Sequence, residues 1–148
     1  MKFRAAVVLA MVAMGCGSEE EPQREFTVLF EEVYGECAQN CYGSLRVTSD
    51  GQATASRADT PGSVARTRSF TLTEAELAAV TADVESALGS PWNDSYGCPD
   101  CNDQGAYTLE LDADGDERET TVDPRVPPAH LAPLTTRLNA LLDANEPD

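Results

Sequence analysis

The sequence predicts an α+β fold: an antiparallel sheet of about four strands, then a helix, a hairpin and a second helix, with both helices packed on one face. Three observations predict it. Apolar and polar residues alternate through Phe26, Val28 and Phe30, and again through Tyr107, Leu109 and Leu111, which is the period of a half-buried strand. Leu77, Val80, Val84 and Leu88 recur at helical spacing, as do Leu131, Leu134, Leu138, Leu141 and Leu142. Turn pairs, Asp50-Gly51 and Asp114-Gly115, stand where antiparallel strands reverse.

Taken in order, the first strand starts at Glu25 and turns Phe26, Val28 and Phe30 inward. A loop from Tyr34 to Gly43 follows, holding Cys37 and Cys41. Leu45 and Val47 share one face of a second strand, and Asp50-Gly51 predicts a two-residue hairpin. The return strand, Ala53 to Arg57, is weakly apolar and is expected at an edge of the sheet. Asp59-Thr60-Pro61-Gly62 turns the chain into a fourth strand, Val64 to Leu72. Thr73 and Glu76 make a Thr-x-x-Glu capping box, whose side chains satisfy the free amides at a helix start. Gly89 stands where a left-handed cap ends that helix. The polar loop Ser90 to Gly105 carries Cys98 and Cys101, and its Trp92 and Tyr96 are expected to close the core beneath it. The strand through Leu109 and Leu111 reverses at Asp114-Gly115 and returns from Arg118 to Val122, where Asp123-Pro124 and Pro127-Pro128 stop it. Pro133 fits a helix only in the first turn, so the last helix is predicted to start near Ala129 or His130. About twenty inward apolar side chains are an adequate core for one domain of this size.

The first residues read as an export signal. Lys2 and Arg4 precede an uncharged apolar run, Ala5 to Met14. A permanent bilayer-spanning helix needs about 20 such residues, so this run has the length of a secretory signal and not of an anchor. Small residues then lead to Gly15-Cys16. Ala13-Met14-Gly15-Cys16 resembles the bacterial lipobox, in which the cysteine is diacylated and becomes the new amino terminus. Residues 1–15 are therefore expected to be removed, Cys16 to be fatty-acylated, and residues 16–24 to form a polar, acidic spacer. A single domain spans 25–144, with a short tail at 145–148. Two or more acyl chains hold a membrane firmly where one does not. Gly17 after the lipidated cysteine resembles the pattern that sorts such proteins to the outer membrane of a two-membrane cell, facing the periplasm or the surface.

Composition narrows function further. The chain has 26 acidic and 10 basic residues, a formal charge of −16, and loss of Lys2 and Arg4 with the signal takes this to −18. Such a charge excludes nucleic acid, whose phosphates need a basic surface, and disfavours a domain that hugs anionic headgroups. A basic partner is compatible with it, as is solubility alone. No phosphate loop and no Gly-x-Ser-x-Gly elbow is present. His130 is the only histidine, reads as a surface residue, and makes triads and metallohydrolase sites hard to build. Carboxylates are many, but nothing picks out a catalytic pair. Asp112-Ala113-Asp114-Gly115-Asp116 has the look of a calcium loop, yet Glu117 stands where an EF-hand needs Gly and the flanks alternate as strands. An acidic hairpin accounts for it better. No cofactor is expected, and the domain is read as non-enzymatic and monomeric.

Beyond Cys16 there are four cysteines: Cys37, Cys41, Cys98 and Cys101. If the sheet is a simple meander, strand directions bring both cysteine loops to the same end. An exported chain with an even cysteine count favours two structural disulfides. Four thiolates binding zinc and a Cys98-Pro99-Asp100-Cys101 redox pair are the alternatives. A local Cys37–Cys41 bridge closes a short loop worth about 2 kcal/mol of chain entropy, while a bridge between the loops is worth about 4 kcal/mol. The residues themselves leave the connectivity open.

Gly35-Glu36-Cys37 through Cys41-Tyr42, the strand after it and Asp50-Gly51 resemble a domain of unknown function found in bacterial envelope proteins. That family pairs a short Cys-x(n)-Cys loop with a strand and an Asp-Gly hairpin. Gly105-Ala106-Tyr107-Thr108-Leu109-Glu110-Leu111 and Pro127-Pro128-Ala129-His130-Leu131, each beside a helix, resemble the same family and also emfourin-type inhibitors of thermolysin-like metallopeptidases. Together the resemblances cover residues 26–142. They imply local disulfides, Cys37 with Cys41 and Cys98 with Cys101, and a binding role for the domain. The inhibitor family lacks this cysteine pattern, and no inhibitory residue carries over. The expected function is thus a membrane-anchored envelope lipoprotein with a protein- or peptide-binding domain, with a peptidase inhibitor and a four-cysteine zinc or thiol-redox site as alternatives.

Overall fold

Alternation builds the sheet as the sequence requires. In a computed structural model, which describes residues 24–35, 37–99, 101 and 105–147, β1 (Phe26–Val33) buries every second side chain, from Phe26 and Val28 to Phe30 and Glu32. The predicted signal, Cys16 and the spacer ahead of Arg24 lie outside the described residues. β2 (Tyr42–Thr48) and β3 (Gln52–Ala58) follow as an antiparallel pair, and β4 (Arg66–Thr71) pairs with β3. After α1 (Glu74–Leu88) come β5 (Ser95–Tyr96), β6 (Ala106–Ala113), β7 (Asp116–Val122) and α2 (Ala132–Ala144). Among the described residues the sheet has seven strands, in the order β4-β3-β2-β1-β6-β7-β5. Every pairing is antiparallel except the short one of β5 with β7.

The fold class is therefore the expected one, with more strands than the sequence reading counted. Two residues account for the strand it lacks entirely: Ser95 and Tyr96 pair with Thr121 and Val122, a run too short to show any period. β3 is not an edge strand as expected. It lies between β2 and β4, and its small residues Ala53 and Ala55 are buried in the core. The Asp50-Gly51 hairpin has a three-residue loop rather than a two-residue one. Gly51 N–H donates to Thr48 O at 2.9 Å, closing a turn, and Gly51 then takes a positive φ of 83°. Asp114 and Gly115, both at positive φ, do make the two-residue turn.

Both helices lie on the face that carries Val28, Phe30, Leu45, Val47, Leu109 and Leu111, all buried. α1 opens with the capping box, Thr73 accepting from Glu76 N–H and Glu76 accepting from Thr73 N–H at 2.8 Å. It buries Val80, Val84 and Ala87 and ends at Gly89 in a right-handed conformation, φ −65°, not the left-handed cap expected. α2 starts at Ala132, two to three residues later than expected, with Pro133 in its first turn. It runs back along α1, Arg137 reaching Asp83 at 2.5 Å, and buries Leu134, Leu138 and Leu142 completely. Each fully buried Leu or Val side chain contributes about 1.5–3 kcal/mol, so this shared stripe is the main force joining helices to sheet. Among the described residues no helix covers the other face of the sheet.

Candidate functional site

The strand directions bring both cysteine loops to one end of the sheet. β1 ends at Val33, which pairs with Tyr42 of β2 and with Ala106 of β6. The first loop leaves from Val33 and the second arrives at Ala106, so they flank the same strand end although the sheet is not a simple meander. Cys37 and Cys41 are bonded to each other, and so are Cys98 and Cys101. Tyr34 N–H donates to Cys41 O at 2.9 Å and closes the base of the first loop. Asn40, at φ 57°, donates to Asp59 at 3.2 Å and accepts from Arg66 at 2.6 Å, tying that loop to the β3–β4 turn. Gly105, at φ 85°, sits so close to Val33 O and the Tyr34 ring that a Cβ there has no room. The second loop is held from below by Asp123, which is buried and accepts from Arg125 N–H at 2.9 Å. That bond, with the Arg125 guanidinium and Cys98 N–H, keeps the Asp123 carboxyl below its ordinary pKa.

Beneath the loops lies a buried charge cluster that the sequence reading did not single out. Glu32 is 2% exposed and Arg57 5%, and they form an ion pair. Arg57 also reaches Asp143 and Glu146, each at 2.9 Å, just at and beyond the C-terminus of α2. A cation there also meets the negative end of the helix dipole. Burial opposes the charge on Arg57, but Glu32, Glu146 and Asp143 together outweigh it and raise its pKa. Gly43 is a glycine because a Cβ would meet Glu32 Oε1 at 2.9 Å and Arg57 Nη1 closer still. Tyr34 donates to Glu32 at 3.2 Å; burial first, then the Glu32 charge, pushes its phenol well above the ordinary value. Burial and Glu32 raise Tyr107 likewise. Tyr42 bonds Glu31 on the opposite face, and burial with that bond pushes it up to about 12. A signal for the cluster was present: Glu32 continues the inward parity of Phe26, Val28 and Phe30, and Arg57 that of Ala53 and Ala55.

The exposed apolar groups gather at the disulfide end. Among the described residues the exposed large apolar side chains are Tyr34 (36%), Val64 (97%) and Val126 (59%), and all three stand in loops there. At the opposite end the chain comes in at Arg24, which pairs with Glu85 at 3.0 Å and Asp114 at 3.7 Å beside the Asp114-Gly115 hairpin. Of the aromatic residues in the second loop, Trp92 donates to Ala87 O at 2.9 Å and packs on the core with Tyr96. His130 is half-buried rather than a free surface residue, its Nε2 lying 3.3 Å from Tyr96 Oη.

The helix-free face has a shallow depression of about 530 Å³ lined by Thr27, Leu29, Arg46, Glu110, Asp112 and Glu119. Its charge is uneven. Glu110 stands directly across from Glu119, and Asp112 from Glu117. Like charges in register cost about 0.2–1 kcal/mol per pair. Arg46 on β2 faces the same side and has no carboxylate partner among the described residues. Arg66 and Arg68 on β4 have none either, but they stand across from Arg57 and Ala55 and so lie on the helix-bearing side of the sheet, Arg66 donating to Asn40.

This is a two-layer sheet-and-helix scaffold with disulfide-pinned loops at one end and one uncovered face, an arrangement that offers binding surfaces. No protein-family model and no curated protein matches the chain. Among the described residues no group of three or more His, Cys, Asp or Glu side chains is placed to hold a metal ion, and no helix is long and apolar enough to cross a membrane.

Proposed function

We propose that the protein is a membrane-anchored envelope lipoprotein, tethered through acylated Cys16, whose domain is a non-enzymatic module for binding a protein or peptide. The observation that supports this reading most is directional. The chain joins the sheet at the end opposite both disulfides and all three exposed apolar loop residues, so a tether at Cys16 turns those loops away from the membrane. From Cys16 to Arg24 is eight residues, at most roughly 26–29 Å when extended. That keeps the domain near the bilayer, while its negative charge holds it off anionic headgroups. Loops presented by a rigid scaffold are where binding residues concentrate. A photo-crosslinking residue at Val64 or Val126, compared with one at Asp50, tests the reading in native envelopes. The expected result is one specific protein adduct from the loop positions that disappears on reduction of the disulfides. Adducts to lipid from the loop positions, or equal capture from Asp50, contradict it.

A further inference from the structure

We infer that β4 is a docking edge for an extended, carboxylate-bearing segment of a protein partner, which adds to the sheet as an eighth strand beside Arg66–Thr71. This rests on the binding role proposed above and adds the mode of binding and the chemistry of the partner. Among the described residues β4 is the long unpaired edge, and the opposite edge is the two-residue β5. Leu72 N–H donates to Gly51 O at 2.9 Å, which sets the phase of the β3–β4 ladder. By the alternation of an antiparallel pair, Arg66, Arg68 and Phe70 direct their backbone groups to β3, and Thr67, Ser69 and Thr71 direct theirs outward. All three of the latter are exposed. Protected edges are shortened, bulged, proline-bearing, covered or charged, and of these devices β4 shows only the charge of Arg66 and Arg68, which leaves it open to a strand of opposite charge. β4 has six residues, keeps unbroken register with β3 and contains no proline. Side-chain bonds between Ser69 and Thr54 at 3.2 Å and from Gln52 to Thr71 at 3.4 Å tie it to β3, so a docking strand meets an ordered template.

Charge selects the partner. Gly62 to Thr73 contains no carboxylate in a chain that has 26. Arg66 and Arg68 lie on the same face of β4, both exposed, and neither has a carboxylate partner among the described residues even though acids outnumber bases. A second copy adding through its own β4 brings arginine against arginine, and a lysine-rich strand does the same. A strand with Glu or Asp at every second position puts its carboxylates beside both guanidiniums while its backbone pairs with Thr67, Ser69 and Thr71.

The test uses the full chain in mild detergent and a fluorescein-labelled eight-residue peptide in which Glu alternates with Val, read by anisotropy. Binding is expected, with no binding of the matching Lys–Val peptide. Methylating alternate amide nitrogens of the Glu–Val peptide in one phase is expected to abolish it, because those amides make the inter-strand bonds. Ser69→Pro removes an outward N–H and leaves the β3 ladder whole, and is expected to abolish binding with the thermal midpoint kept. R66E with R68E is expected to weaken it by about tenfold or more and to admit the Lys–Val peptide. Equal binding of both peptides, insensitivity to N-methylation, or dimers that dissociate only in the Ser69→Pro variant overturn the inference. Loss of peptide binding in Ser69→Pro with loop crosslinks from Val64 or Val126 intact separates this edge from the wider binding role. Crosslinks without any peptide binding refute the edge alone.

Discussion

Arg57→Met should destabilise the fold by about 3–5 kcal/mol, because it strands the Glu32 carboxylate in the core. The magnitude follows from exposure. The Glu32 side chain is 3% exposed and that of Arg57 6%, so water cannot replace the lost partner. Asp143 and Glu146, at 58% and 53%, are solvated, and each lost pair with them is worth at most about 1 kcal/mol. The expected drop in thermal midpoint for a domain of this length is roughly 10–20 °C. Pairing Arg57→Met with Glu32→Leu removes both charges, and the double variant should recover most of the loss. Urea unfolding followed by Trp92 fluorescence measures all three proteins. A single-variant loss under about 1 kcal/mol, or a double variant as unstable as the sum of its singles, would refute the reasoning.

The capping box carries a pH signature. Thr73 holds the Glu76 carboxyl below its ordinary pKa, so its contribution is present above the unfolded value near 4.5 and is lost as pH falls through the lower folded value. Glu76→Gln should lower the thermal midpoint at pH 7 and match the parent at pH 2.5. Thr73→Ala should cost about 0.5–2 kcal/mol at neutral pH in urea unfolding. At high pH, absorbance at 295 nm should show Tyr42 ionising near 12 and Tyr34 later still. Because both folded values lie above the unfolded phenol, their stabilisation is full below pH 10 and is lost as pH rises through the folded values; ionisation of Tyr34 near 10 contradicts the buried cluster. Gly105→Ala should cost about 1–3 kcal/mol through its left-handed backbone and contact with Val33 O, and a neutral effect would contradict the close approach of the two loops.

Much of this was legible in the sequence because one face of the sheet is buried. Parity along Phe26–Phe30 and Tyr107–Leu111 fixes which side chains face inward, and the capping box at Thr73 and Glu76 marks a helix start by chemistry alone. Ala53 and Ala55 look like weak strand residues, which suggests an edge for β3, yet both are buried in the core between β2 and β4, a placement that a propensity scale cannot see. Gly89 could end α1 without a positive φ, since its N–H already reaches Glu85 O and Ser86 O. β5 depends on a parallel contact with β7 twenty-six residues away, a tertiary choice with no local period. Of the surface features, the shared end of the cysteine loops followed from strand direction. The Glu32–Arg57 pair did not, because charged residues at inward positions are read as breaks in a pattern unless both partners are known to meet.

Export, acylation at Cys16 and oxidation of the other four cysteines in two local pairs are what the proposed function requires. Intact-mass spectrometry of the protein isolated from envelopes tests all of this at once. The expected product lacks residues 1–15, carries diacylglycerol and an amide-linked acyl chain on Cys16, and is short by the hydrogens of two disulfides, with Cys37–Cys41 and Cys98–Cys101 each closed inside a single tryptic peptide and no disulfide joining the two peptides. An intact Met1 terminus with four free thiols in a water-soluble fraction would contradict it.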